Sequence, residues 1–281
     1  FLNEVLKKDK SIKSRFVKKT EKERFRSQAY DQLFIKDRFK NKMYRQIIRS
    51  KVSQVKKYNY SGVAFLLFPK MIFNLTKKEY TVYLQENFYQ PLGANSLGYL
   101  PKKRGVSKNI IPTEFDSIFR KDLTQSWVHD ENAALMGGIS GNAGLFGSAL
   151  DLAKIMQMYS NYGYYDYKQY ISKRTLKEFT KVQYPENGNR RGLGFDKPLL
   201  GNDTLDIANA YPAPEVSAES FGHSGFTGTF VWADPTHDLI FIFLSNRVYP
   251  SRSHQNIYKL NIRPKVQQVF YQALKKVKIN E

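Results

Sequence analysis

Residues 222–245 read GHSGFTGTFVWADPTHDLIFIFLS, and this stretch indicates the fold more clearly than any other. Its second half predicts two strands, Thr229 to Ala233 and Asp238 to Ser245, joined by a turn at residues 234–237. The run at residues 239–244 is apolar without interruption, as in a strand that is buried on both faces. We therefore expect an antiparallel sheet with helices on both of its faces, which is an α+β architecture.

Helical patterns lie on either side of this hairpin. A last helix is predicted to begin at Pro264, a residue type that suits the first turn. Ser148 is placed to cap a helix whose apolar face follows it. Upstream, an apolar helix is predicted from Gly62 to Leu75 and a basic helix from about Asp37 to Val52. These helices supply the layers that the sheet requires.

The composition excludes several kinds of site. The 281 residues are 41% hydrophobic and 15% aromatic, which is typical of a folded protein with one core or at most two. The absence of Cys excludes disulfides, thiolate metal sites and a cysteine nucleophile. The four His residues lack metal-ligand spacing, so we expect no metal site, and we predict no cofactor. The longest apolar stretch, Val63 to Leu75, is too short for a transmembrane segment.

Positive charge is concentrated near the N-terminus. The net charge is +20, and residues 1–57 hold 19 Lys and Arg against 6 Asp and Glu. Such a region could bind nucleic acid, but apolar residues at helical spacing favour a solvated helix surface, and no recognition motif is present. We predict no nucleic-acid partner. We interpret residues 1–57 as a basic helical and loop insertion of one domain, of which 58–281 is the main part and 221–278 the C-terminal sheet and helix.

Four polar or glycine-rich segments could carry chemistry. His223 lies between small residues, which would let a ligand approach the backbone, although a strand entry with a bulge explains the segment equally well. Tyr60-Ser61 precedes the apolar helix, where Ser61 could be a plain cap. His129 begins a polar phrase that we interpret as a structural hydrogen-bond network. Residues 137–147 lack the ending of a phosphate-binding loop, so tight backbone packing is favoured.

Two of these segments together resemble motifs of the serine β-lactamase and penicillin-binding protein superfamily, in its class C and esterase-like branch. Tyr60-Ser61-Gly62 resembles the second motif, Tyr-x-Asn, and His223-Ser224-Gly225 resembles the third, Lys/His-Thr/Ser-Gly. Longer phrases at 128–146 and 222–247 are similar to this branch as well. More narrowly, the chain resembles the β-lactamase-like domain that is C-terminal to family-3 glycoside hydrolases of Bacteroidetes. The resemblance implies a β-lactamase/transpeptidase-like antiparallel sheet, with helices on both faces and an additional helical region.

The resemblance also implies roles for individual residues. Tyr60 and His223 would be catalytic, whereas Ser61, Ser224, Gly225 and Phe226 would bind substrate, Phe226 through an oxyanion-hole N–H. A neutral His223 provides no lasting charge for a carboxylate, which favours ester or peptide substrates over β-lactams. Gly62 stands where the family has a polar residue, so one hydrogen bond to substrate would be lost.

The first motif of the family, Ser-x-x-Lys, carries the acylated serine. The only match in spacing, Ser53 to Lys56, lies too close to Tyr60 and is rejected. The sequence also begins at Phe1 and not at Met. We therefore expect a fold that is incomplete at the N-terminus, with the nucleophile and the first strands upstream in the same protein. The expected reaction is acyl-enzyme hydrolysis of a small-molecule or peptidoglycan-derived substrate, in the cell envelope or periplasm.

A non-catalytic alternative stays open. Without a nucleophile of its own, the chain could be an inert β-lactamase-like module attached to a cell-wall glycosidase of the β-N-acetylhexosaminidase type. A reactive probe applied to the parent protein would separate this alternative from the hydrolase.

Overall fold

A computed structural model describes residues 1–106 and 108–279 of the chain, so residue 107 and the last two residues of the predicted 58–281 segment lie outside the described residues. Its α-helices are α1 Leu2–Val5, α2 Asp37–Ile48, α3 Phe68–Thr76, α4 Tyr80–Leu84, α5 Glu131–Leu135, α6 Ala149–Ser160, α7 Lys173–Thr180, α8 Asn256–Lys259 and α9 Ile262–Ile279. Its strands are β1 Val17–Lys18, β2 Ser27–Tyr30, β3 Leu33–Ile35, β4 Glu114–Asp116, β5 Asp122–Thr124, β6 Tyr164–Tyr165, β7 Lys168–Gln169, β8 Phe221–Ser224, β9 Phe230–Asp234 and β10 Leu239–Phe243. Within this part of the chain, no helix is both long enough and apolar enough to cross a membrane.

The C-terminal sheet is the one that the sequence predicts. Its strands are antiparallel in the order β10-β9-β8, with Phe241 opposite Trp232 and His223 opposite Val231. Strands β9 and β10 begin within one residue of their predicted starts, and β10 ends two residues early. The predicted α+β class is confirmed, and β8 places His223 inside a strand.

Alternation along β9 directs its side chains to two different helices. Phe230 and Trp232 pack on the face that Tyr271 of α9 covers. On the opposite face, Ala233 packs with Met156 of α6. Because successive side chains of a strand point to opposite faces, one apolar strand contributes to two cores. The prediction of helices on both faces of the sheet is thereby confirmed.

The N-terminal region contains more sheet than the sequence pattern predicts. Helix α2 confirms the basic helix, and its Phe39 and Met43 are buried. Three short strands accompany it and pair in the order β1-β3-β2. The prediction for residues 1–57 contained only helices and loops, so it missed these strands. These strands have two to four residues each, too few to show a clear alternation.

The glycine-rich stretch packs tightly, as predicted. A Cβ at Gly141 would collide with the Phe65 carbonyl, and one at Gly144 with the Gly138 carbonyl. Directly after this stretch, the Ser148 hydroxyl accepts the Asp151 N–H at 3.3 Å and caps α6. Close backbone packing before a capped helix is therefore confirmed for residues 137–147.

Candidate active site

Two of the residues singled out in the sequence lie side by side. Tyr60 is exposed and precedes the 3₁₀ helix Val63–Leu67, whereas His223 is half-buried in β8. Their ring centroids are 6.5 Å apart, with an angle of 49° between the planes. The fold thus brings a phenol and an imidazole, which are far apart in the sequence, to one place on the surface.

Arg191 completes this cluster. Its Nη1 lies 3.0 Å from His223 Nε2, and its guanidinium carbon lies 4.8 Å from the centre of the Tyr60 ring. Its Nη2 donates to Asp196 Oδ2 at 3.1 Å. No sequence pattern indicated this role for Arg191, because an Arg-Arg pair in a Lys- and Arg-rich chain resembles ordinary surface charge.

These contacts define the protonation state of His223. A guanidinium only donates hydrogen bonds, so His223 Nε2 must accept from Arg191. The ring proton is then on Nδ1, which donates to the Ser224 carbonyl at 2.9 Å. Burial, followed by the positive charge of Arg191, lowers the pKa of His223. We conclude that the imidazole is neutral at pH 7.

A backbone bridge holds the arginine segment against β8. The Asp196 N–H donates to the Gly222 carbonyl at 2.7 Å, and the Gly222 N–H donates back to Asp196 at 3.0 Å. The Asp196 carboxylate is buried and accepts from both Arg190 and Arg191. Gly222 is needed here because a Cβ would collide with the Val231 carbonyl and the Trp232 ring.

The turn after His223 exposes a backbone donor. Gly225 N–H donates to Thr229 and Gly228 N–H to Gly225, which closes the turn. Among the described residues, nothing accepts the N–H of Phe226. The Phe226 ring stacks on His129 at 5.7 Å, and Arg247 donates to the Phe226 carbonyl at 2.8 Å. The N–H is therefore available while the residue itself is held in place.

Two further residues of the predicted site have local roles. Ser61 is exposed, and its hydroxyl accepts the Val63 N–H at 3.3 Å, close to the plain capping role. Ser224 is half-buried and provides the carbonyl that accepts from His223. Substrate binding by Ser61, Ser224, Gly225 and Phe226 stays a prediction.

The predicted hydrogen-bond network around His129 is confirmed. Glu114 is buried and binds His129 Nε2 at 2.6 Å, while Arg252 binds both oxygens of Glu114. Arg252 also donates to Glu131 at 2.8 Å. Burial alone would raise the pKa of Glu114, but the hydrogen bonds from Arg252 and His129 lower it. This network supports the ring on which Phe226 stacks.

The only Ser-x-x-Lys spacing lies in an irregular segment. Ser53 and Lys56 are exposed, between the end of α2 at Ile48 and the 3₁₀ helix that begins at Val63. Side chains three residues apart lie close together when both residues are part of one helix, and the motif needs this closeness for lysine to approach serine. Ser53 and Lys56 are not on a helix. Within residues 1–106 and 108–279, no three His, Asp or Glu side chains are grouped to hold a metal ion.

Comparison with known proteins decides the family. Residues 20–262 match the sequence model described as Beta-lactamase. The chain belongs to the β-lactamase family. The motifs at Tyr60 and His223 predicted membership of the superfamily of β-lactamases and penicillin-binding proteins. This prediction is confirmed.

Curated relatives in this family are longer than the chain. A candidate D-alanyl-D-alanine carboxypeptidase of Escherichia coli O157:H7 is 32% identical over 203 residues, which cover 68% of this chain and 45% of the relative. A protein with the same description from Salmonella gallinarum is 30% identical over the same length. The chain thus spans about half the length of these relatives.

A solved structure shares the fold. The crystal structure of a β-lactamase from Mycobacterium bovis superposes with a TM-score of 0.51 at 18% identity. The match covers 79% of this chain and 66% of that chain. At this level of identity the likeness concerns the fold alone, and it agrees with the α+β arrangement described above.

Proposed function

We propose that this β-lactamase-family chain supplies part of the active site of a serine hydrolase that forms an acyl-enzyme on an ester, amide or peptide. The contact between Tyr60 and His223 carries this proposal, because it brings the second- and third-motif residues to one site. The unused N–H of Phe226, three residues beyond His223, adds an oxyanion donor. A cell-wall peptide as substrate, and a cell-envelope location, agree with the description of the E. coli relative.

The proposed reaction divides the work among four groups, a serine, a lysine, Tyr60 and the Phe226 N–H. A serine hydroxyl attacks the substrate carbonyl carbon, and its proton passes to a lysine paired with Tyr60. The carbonyl oxygen gains the negative charge, which the Phe226 N–H stabilises. The same proton returns from the lysine through Tyr60 to the leaving group, which departs; water then attacks the acyl-serine ester, and its proton passes by way of Tyr60 and the lysine to the serine oxygen. The role of His223, whose two nitrogens are both bonded, is to position Arg191 and Tyr60.

The serine and lysine of this mechanism are proposed to come from outside residues 1–281. The curated relatives are about twice as long as the matched region, and Ser53 and Lys56 do not lie on a helix. The outer edge of β10 has no strand partner among the described residues, although apolar edge strands are normally paired or covered. Additional strands on this edge would arrive with the Ser-x-x-Lys helix.

A covalent probe tests this proposal. The parent protein is treated with a fluorophosphonate, and the labelled residue is located by mass spectrometry. We expect labelling on a serine outside residues 1–281 and none on the isolated chain. Tyr60→Phe should slow labelling by about 10²-fold or more, because proton transfer of this kind contributes about that much.

The control variant is Tyr167→Phe, since Tyr167 is exposed and lies in the turn between β6 and β7. Its labelling rate should equal that of the unmodified parent. If the probe labels a serine within residues 1–281, the proposal that the nucleophile lies outside these residues is wrong. A parent protein that no probe labels would support the inert module attached to a glycosidase.

A further inference from the structure

We infer that Arg247 is a positioning residue of the proposed oxyanion site, because it fixes the backbone of Phe226, whose N–H faces the developing charge in the proposed reaction. This inference rests on the proposed function, since it adds a residue to the same site. Arg247 lies outside the second and third motifs, in the segment that follows β10.

The backbone of Phe226 has little support from its own turn. Gly225 N–H donates to the Thr229 carbonyl at 2.8 Å and Gly228 N–H to the Gly225 carbonyl at 3.1 Å, so neither bond includes Phe226. Among the residues that the structure describes, the one hydrogen bond at the Phe226 backbone comes from Arg247 Nε to its carbonyl, at 2.8 Å. The orientation of the Phe226 N–H therefore depends on a side chain from another part of the chain.

Arg247 also restrains the Phe226 side chain. The guanidinium carbon lies 4.5 Å from the centre of the Phe226 ring, within the range of a cation–π contact. His129 stacks on the same ring, with 18° between the planes. Because Phe226 is 56% exposed, these two contacts restrain the ring more than burial does.

Arg247 is itself held in place. Its Nη1 donates to the carbonyls of Arg252 at 3.2 Å and His254 at 2.8 Å, and its guanidinium carbon lies 4.9 Å from the centre of the Tyr258 ring. On the turn, Gly228 has a φ of +113°, and a Cβ there would press against the Arg247 side chain at 3.1 Å. The turn therefore packs directly against an ordered arginine.

The contacts of Arg247 join the hydrogen-bond network around His129. Arg252 accepts from Arg247 through its carbonyl and binds Glu114 through its guanidinium. Glu114 binds His129, on which the Phe226 ring stacks. These residues form a closed circuit, so a displacement of Phe226 would disturb every contact in it. Oxyanion stabilisation depends on donors that are fixed before the reaction, and this circuit fixes the Phe226 N–H.

The alternative is that Arg247 only stabilises the fold. The two roles are separated in the parent protein by comparing p-nitrophenyl acetate with its thionoester, in which sulfur replaces the carbonyl oxygen. Sulfur is a weak hydrogen-bond acceptor, so the thionoester gains little from an oxyanion N–H. The ratio of kcat/KM for the two esters therefore reports oxyanion stabilisation. It does not depend on the fraction of the protein that is folded.

We expect Arg247→Met to lower kcat/KM for the oxygen ester by about 10-fold and that for the thionoester by much less, because the N–H is displaced and not removed. Arg247→Lys keeps a cation and a donor, so it should retain part of the ratio. Phe226→Leu alters an exposed ring and should also lower the ratio, which provides the test if Arg247→Met does not fold.

The control variant is Arg15→Met. Arg15 is exposed and its guanidinium carbon lies 4.7 Å from the centre of the Phe16 ring, so the substitution removes a similar contact away from the site. The ratio of this variant should equal that of the unmodified parent.

A folded Arg247→Met variant that loses rate on both esters in the same proportion, or that loses none, would overturn the inference. So would an equal change of the ratio in Arg15→Met. Failure of the proposed function looks different, because the parent protein then hydrolyses neither ester and takes no fluorophosphonate label. In that case no oxyanion forms, and the role of Arg247 is removed together with the hydrolase.

Discussion

Asp234 is the residue with the densest set of hydrogen bonds near the C-terminal sheet. Its buried carboxylate accepts from the Ser217 hydroxyl at 2.6 Å and the Tyr271 hydroxyl at 2.8 Å, and binds His237 Nδ1 at 3.0 Å. Burial alone would raise the pKa of Asp234, but these hydrogen bonds outweigh it and lower the pKa. One side chain thus connects β9, the following turn and α9.

Asp234→Asn tests this connection. An amide has one acceptor oxygen, so part of the network is left unsatisfied in a buried position. We expect the free energy of unfolding to fall by about 2–3 kcal/mol, measured by urea denaturation. Asp238→Asn in the same turn is the control, because Asp238 is exposed. Equal effects of the two substitutions would contradict the structural role of Asp234.

At the scale of elements, the sheet β8–β10 positions the site because both of its faces are covered. Helix α6 covers one face and α9 the other, so β8 is held at the edge where His223 and the arginine segment meet. The start of α6 follows the glycine-rich stretch directly. The cap of this helix therefore affects the packing of the sheet as well as the helix itself.

Removal of the cap should destabilise the protein measurably. Ser148→Ala leaves the Asp151 N–H without its acceptor and also removes the contact with the Ser96 hydroxyl. Loss of a serine cap costs about 1 kcal/mol, and we expect at least that loss in the free energy of unfolding. Ser14→Ala, in an exposed turn, should change it by less than about 0.5 kcal/mol. If Ser148→Ala leaves the midpoint of urea denaturation unchanged, the Ser148 hydroxyl does not stabilise the start of α6.

For the whole molecule, the change of stability in acid follows from three buried carboxylates that accept hydrogen bonds. Glu114, Asp116 and Asp234 are buried, and hydrogen bonds hold the pKa of each below its usual value. A carboxyl with a lowered pKa in the folded state stabilises that state above its unfolded pKa of about 4. The stabilisation is lost as the pH falls through the lower, folded pKa.

Stability should therefore fall steeply below about pH 4, as measured by urea midpoints from pH 7 to pH 3. His223 adds a smaller decrease from about pH 6.5 downward, because its lowered pKa means that the unfolded chain takes up the proton first. Asp234→Asn should flatten the acid branch of the curve. A stability that increases between pH 5 and pH 3 would exclude this account.

Some features of the molecule are readable from the sequence because they depend on neighbours in the chain. The apolar run at 239–244, the Ser148 cap and the short phrases at Tyr60 and His223 predicted the α+β class, the start of α6 and the family. The strands β1, β2 and β3 escaped prediction because two to four residues with Lys and Gln among them carry no clear period.

The candidate site itself was decided by tertiary structure. Periodicity and capping are local properties, so strands and helices can be inferred from the order of residues. The approach of Arg191 to His223 and Tyr60 depends on the bridge between Asp196 and Gly222. That bridge forms between loops distant in sequence, where close packing and not any local pattern determines which side chains meet. The residue types of the site were thus present in the sequence, but their arrangement exists only in the folded chain.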